Sequence, residues 1–186
     1  MNDDLDLALE TLRNGGTILY PTDTIWGIGC DATNNDAVVK IFNIKNRKDT
    51  RQMLILIDDP ANISKYAGNV PEIAFTFIEA AVRPLSIIFQ QAKNLAPSLI
   101  GYDHTIGIRV VQDDFCRELI KRYGKPIVST SANVSGDAPP RSFSNIDQRI
   151  KDAVDYIVNW RQDDISASAP SDIIKFGTDG EIIKIR

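Results

Sequence analysis

Between Asp113 and Gly136 the chain changes character twice, and this succession constrains the fold more than any other stretch. Asp113 to Tyr123 sets Phe115, Leu119, Ile120 and Tyr123 on one helical face, with Gly124 as the left-handed residue that closes such a helix. Lys125 to Gly136, K-P-I-V-S-T-S-A-N-V-S-G, then reads as a short apolar strand running into small polar residues. Ser129, Thr130, Ser131, Asn133 and Ser135 offer many hydrogen bonds to a polyanionic ligand, although a Ser-rich run after a strand is also an ordinary turn. The pattern suggests binding, not nucleophilic attack.

The same strand and helix rhythm recurs elsewhere, as crossover units of an α/β sheet. Leu5, Ala8, Leu9 and Leu12 recur at helical spacing before Gly15-Gly16, and Thr17 to Tyr20 reads as a buried strand ending at Pro21. Gly27 and Gly29 permit a tight backbone path, but without a third glycine or a Gly-Lys-Ser/Thr they support neither a dinucleotide fingerprint nor a P-loop. Asn34 begins a second helix through Val38, Ile41 and Phe42, and Met53 to Ile57 is an interior strand. Pro71 to Val82 reads as a core helix with Ile73, Ala74, Phe77, Ile78 and Ala81 on one face. Strands are expected over Leu85–Phe89, Ile106–Val111 and Val154–Val158, with a short helix near Asn145 to Ile150. A mobile connection spans Arg161–Ser171, and a terminal hairpin turns at Asp179-Gly180.

A chain of 186 residues, 43% of them hydrophobic, is long enough for one sizeable core and fits one domain over 1–186. Its net charge of −4 argues against a surface that embraces nucleic acid as a whole, while leaving room for a local basic patch. Cys30 and Cys116 are too few for a disulfide framework, no apolar run is long enough for a membrane span, and the N-terminus is acidic. These features predict a reduced, cytoplasmic protein with no membrane partner.

Lys40, Lys45, Arg47, Lys48 and Arg51 face only Asp49 between positions 40 and 51, so the run is either a solvated face or a phosphate-binding one. Thr22, Asp23 and Thr24 sit just past a strand end, as a capped turn or as part of a site. Arg109 stands in an apolar strand, either snorkelling at a sheet edge or reaching into a cleft to hold a carboxylate.

Y-P-T-D-T-I-W-G-I-G, I-K-N-R before an apolar strand, T-I-G-I-R, P-I-V-S-T-S-A-N-V-S-G and P-S-D-I-I stand in one order along nearly the whole chain. Together they resemble the YrdC-like threonylcarbamoyl-adenylate synthases. The resemblance implies a twisted mixed α/β sheet with flanking helices and a deep basic cleft. It also implies that threonine, bicarbonate and ATP are joined, with Mg²⁺ accompanying ATP, into threonylcarbamoyl-AMP and pyrophosphate. The product would pass to a tRNA threonylcarbamoyl transferase complex for adenosine modification. By position, Lys45 and Arg47 match the family's phosphate-binding pair, Ser131 and Asn133 its nucleotide-binding S-x-N, and Thr24 and Arg109 its threonine contacts. Arg51, Thr105 and Arg141 are further ATP candidates, and Ser129 a further threonine candidate. Departures are A-V-R-P-L-S at Ala81–Ser86 for the usual W-P-G-P-L-T, Lys48 for a common Pro, Leu56 for an occasional His and Asp23 for a common Glu.

Other chemistries fit less well. Ser131 with the sole histidine, His104, would suggest a hydrolase, but no G-x-S-x-G surrounds any serine. Two cysteines and one histidine lack zinc-site spacing. A double-stranded RNA or tRNA-binding module of the same fold is the alternative from another class, and a carbamoyl-transfer domain of hydrogenase maturation usually comes with further domains.

Overall fold

The computed structural model describes residues 1–46, 53–164, 169–177 and 181–186. In chain order it contains α1 (Asn2–Arg13), β1 (Ile18–Tyr20), β2 (Gly27–Gly29), α2 (Asn35–Ile44), β3 (Leu54–Ile57), α3 (Ile63–Tyr66), β4 (Ala67–Asn69) and α4 (Ile73–Ala80). There follow β5 (Leu85–Ala92), β6 (Ile106–Val110), α5 (Asp114–Tyr123), β7 (Ile127–Ser131), α6 (Gln148–Ala153), β8 (Tyr156–Ile157), β9 (Asp172–Phe176) and β10 (Ile182–Lys184). The strands form one mixed sheet in the order β10-β9-β5-β6-β3-β7-β2-β1-β8, with β4 paired to β5.

Strand residues alternate between two cores, as a pleated sheet covered on both faces requires. Leu56, Ile18, Tyr20 and Ile127 join the core made by α1 and α5, whereas Ile55, Ile57, Leu19 and Val128 join the larger core on the opposite face. Leu5, Leu9 and Leu12 of α1 are buried there, each worth about 1.5–3 kcal/mol. The helix stops where Gly15, at φ 71°, and Gly16 donate back to Leu12 and Thr11. Asp113 caps α5 by accepting from the Cys116 N–H, and Gly124, at φ 76°, ends it.

Several expectations change. α5 does not make a parallel crossover: β6 is parallel to β3 but β7 is antiparallel to it, so the helix joins strands of opposite direction. α4 is shorter than its apolar run and buries only Ala74; Ile73 is half exposed, because a helix apolar on most sides offers more surface than its neighbours cover. Gly27 and Gly29 lie inside β2, and a Cβ on Gly29 would stand 2.6 Å from the Tyr20 ring and 2.7 Å from the Val128 carbonyl oxygen. Gly29 serves close strand packing around Tyr20, whereas Gly27 lines a cleft. Ser129, Thr130 and Ser131 belong to β7 and not to the loop beyond it. The terminal hairpin forms, with Ile182 opposite Phe176, while its turn at Asp179-Gly180 and positions 165–168 of the polar connection lie outside the described residues.

Candidate functional site

The face of the sheet that α1 and α5 cover at one end stays open at the other. Ser129 and Ser131 alternate in step with Ile127, and Leu54 with Leu56, so all five positions share the α1/α5 face. Above them lies a cleft of about 670 Å³ whose wall includes Thr24, Trp26, Lys45, Arg109, Ser129, Ser131, Asn133, Ser171 and Arg186.

Arg109 sits on β6 between β5 and β3, an interior strand, which excludes the sheet-edge reading. It is 3% exposed. One terminal nitrogen donates to Thr24 Oγ1 at 3.2 Å and the other stands 3.1 Å from Asp23 Oδ1. Its Nε–H is buried without a hydrogen-bond partner. An unpaired donor of this kind costs free energy in the absence of a ligand, which is how a binding site differs from a structural ion pair.

Lys45 follows the last turn of α2 and is also 3% exposed. Its ammonium donates to the Ser131 carbonyl at 2.5 Å and the Asn133 carbonyl at 2.7 Å, while its own carbonyl accepts from the Ser135 N–H at 2.9 Å. This lysine therefore fastens the β7 loop to α2 as well as lining the cleft. Asn133 spends its amide hydrogens on the carbonyls of Val134 and Asp137, at 2.9 and 2.8 Å, leaving a buried Oδ1 without a donor. The loop thus presents an acceptor at this position, where the sequence suggested chiefly donors.

Thr24, Arg109, Ser129, Lys45, Ser131 and Asn133 are brought to one cleft. Arg141 stands on a small adjoining hollow that shares Thr24, Ile25 and Trp26 with it. Thr105 is elsewhere, buried at the start of β6 with its hydroxyl donating to Asp103 at 2.8 Å. Arg47 and Arg51 lie outside the described residues. His104 is exposed in a turn closed onto Gly101, away from Ser131 and the cleft, so the hydrolase pairing is not formed. Among the described residues no His, Cys, Asp and Glu cluster could hold a metal, and no helix is long and apolar enough to cross a membrane. Burial pushes the thiols of Cys30 and Cys116 up, leaving them inert core residues.

The sequence reading missed Trp26, Ser171 and Arg186. Trp26 gives the cleft an aromatic wall, packed at 4.9 Å against Phe143; a large aromatic amid polar turn residues was the available signal. Ser171 shares a 2.9 Å hydrogen bond with buried Ser86, and its carbonyl accepts from Arg186 Nε at 3.0 Å. Burial and the nearby Arg109 cation both lower the Arg186 pKa. Nothing in the spacing of I-I-K-I-R announces that this arginine returns to the cleft.

Residues 10–186 match the Sua5/YciO/YrdC family model, described as "Telomere recombination". A Methanocaldococcus jannaschii protein named "Putative threonylcarbamoyl-AMP synthase" is 34% identical over 183 residues, 98% of this chain and 84% of its own length. The threonylcarbamoyl-AMP synthase of Idiomarina loihiensis is 29% identical over 162 residues, 86% of this chain and 87% of the relative. Among solved structures, P. abyssi Sua5 complexed with L-threonine superposes with a TM-score of 0.86 at 22% identity, covering 98% of this chain but only 53% of the Sua5 chain. That likeness shows the fold, and the family model spans the sheet and every residue lining the cleft: the chain belongs to the Sua5/YciO/YrdC family.

Proposed function

We propose that the chain is an L-threonylcarbamoyladenylate synthase, a nucleotidyltransferase that forms threonylcarbamoyl-AMP and pyrophosphate from L-threonine, bicarbonate and ATP. The observation that carries this reading is the buried Arg109 at the cleft wall, with its Nε–H unpartnered and Thr24 beside it. A guanidinium so placed suits a small carboxylate, and the Thr24 hydroxyl oxygen suits the adjoining amino group. The names of the curated relatives point to the same reaction.

In this reading threonine lies against Arg109, Thr24 and Ser129, and ATP along Lys45, Ser131 and Asn133. The Asn133 Oδ1 acceptor suits an N–H or O–H of a nucleoside, and Lys45 and Arg186 supply positive charge to the phosphates. Arg47, Arg51 and Arg141 join the phosphate side by their motif positions alone. Threonine's amine and bicarbonate give a carbamate with loss of water; a carbamate oxygen then bonds to the α-phosphorus as the bond to pyrophosphate breaks. The chain's residues align these groups and offset their charge, with no nucleophile of their own. Mg²⁺ enters as part of the substrate Mg-ATP, held mainly by phosphate oxygens. The threonylcarbamoyl group passes onward to tRNA.

Calorimetric titration with L-threonine and then with a non-hydrolysable ATP analogue tests the reading. Saturable binding of both supports it; binding of double-stranded RNA without either would favour a nucleic-acid module instead.

A further inference from the structure

Thr22 and Asp23 lie outside the set of residues lining the main cleft, yet both grip residues that line it. We propose that they are positioning residues that fix the polarity of the amino-acid subsite, Asp23 by setting the donor end and Thr22 by setting the acceptor end. This deepens the synthase reading and rests on it.

Consider the donor end first. The side chains of Arg109 and Asp23 are 4% and 7% exposed, so their attraction is little weakened by water and an uncompensated guanidinium would be costly. The β5–β6–β3 ladder fixes the backbone of Arg109, leaving the side-chain torsions to be set by what the guanidinium touches. Of its five N–H groups, one donates to Thr24 and one nitrogen faces Asp23, so the Nε–H and others remain for a carboxylate. Asp23 thus compensates the buried charge without consuming the whole fork.

The acceptor end follows by elimination. Thr22 Oγ1 has a single hydrogen, which it donates to the Ile25 carbonyl at 2.8 Å, and it accepts from the Thr24 N–H at 3.1 Å. In its 2.9 Å contact with Thr24 Oγ1 the hydrogen must therefore come from Thr24. The Thr24 hydroxyl hydrogen is turned toward Thr22, one lone pair accepts from Arg109, and a second remains on a residue that lines the cleft. A donor beside an acceptor complements the carboxylate and ammonium of an α-amino acid. The acceptor still fits after the amine has become a carbamate N–H.

The test is titration of L-threonine and, separately, of a non-hydrolysable ATP analogue into the wild type, Asp23→Asn, Thr22→Val, Thr22→Ser, Arg109→Lys and the Asp23→Asn/Arg109→Lys double variant. Asp23→Asn and Thr22→Val should each weaken threonine binding about tenfold or more, with ATP-analogue affinity unchanged. Thr22→Ser, which keeps the hydroxyl, should bind threonine as the wild type does. The double variant should bind no worse than Arg109→Lys alone, because Asp23 acts through Arg109. Wild-type threonine affinity in a folded Asp23→Asn, or fully additive losses in the double variant, would overturn the Asp23 role. Should Asp23→Asn fail to fold, Thr22→Val decides: unchanged threonine affinity there overturns the polarity argument. A wild type that binds no threonine would bring down the synthase reading itself, a result distinct from these.

Discussion

The Lys45 ammonium donates to the Asn133 carbonyl at 2.7 Å, joining the end of α2 to the loop after β7 across 88 residues of sequence. With the Ser131 carbonyl as a second acceptor, this buried cation organises the very loop that carries the S-x-N pattern. Lys45→Met should therefore lower stability as well as nucleotide affinity, by about 1–3 kcal/mol, since the Asn133 carbonyl loses its Lys45 donor while the Ser131 carbonyl keeps the Asn133 N–H. A thermal melt should fall by about 2–10 °C. A variant that loses ATP-analogue binding at unchanged melting temperature would reduce Lys45 to a phosphate ligand alone.

Arg109→Lys keeps the charge but loses the planar fork that reaches Thr24 and Asp23 together. L-threonine affinity should drop about tenfold or more, with little change in ATP-analogue binding. Equal threonine affinities would leave Arg109 as a structural residue.

Gly29 admits no side chain, since a Cβ would meet the Tyr20 ring at 2.6 Å and the Val128 carbonyl at 2.7 Å. Gly29→Ala must push apart β1, β2 and β7 behind the cleft, costing about 1–3 kcal/mol in urea unfolding. Unchanged stability would contradict this close packing.

The helices and strands that announce themselves by period and punctuation are where the sequence places them. α5 ends at Gly124 because only a left-handed residue closes it there, and Met53–Ile57 contains β3 because so apolar a run belongs in a sheet interior. Strand direction was not legible: whether β7 returns parallel or antiparallel to β3 depends on pairings between distant segments. α4 misled because apolar content measures what a helix could bury, not how much surface is available to cover it. At the site, Thr24, Lys45, Arg109, Ser131 and Asn133, singled out by motif order, line one cleft. Arg186 escaped because its approach is set by the terminal hairpin, and Asn133's acceptor polarity because it depends on which carbonyls consume its amide hydrogens.

Asp31 supplies a pH prediction. Burial alone would raise its pKa, but hydrogen bonds from Lys125, Thr33 and Tyr123 outweigh that and hold it below its ordinary 3.8. A depressed carboxylate contributes stability above the unfolded-state value and loses it as pH falls through the folded one. Asp31→Asn should thus be less stable at neutral pH, with a shallower loss of stability between about pH 5 and pH 2. Urea unfolding across that range checks it; parallel curves for wild type and variant would contradict it.

The most direct test of the account is pyrophosphate release by the purified protein supplied with Mg-ATP, L-threonine and bicarbonate, each omitted in turn, with mass spectrometry for the adenylate. A cleft that aligns substrates and uses no nucleophile of its own should release pyrophosphate and form threonylcarbamoyl-AMP only when all three are present. ATP hydrolysis indifferent to threonine, or no turnover beside intact binding of L-threonine and ATP, would contradict it.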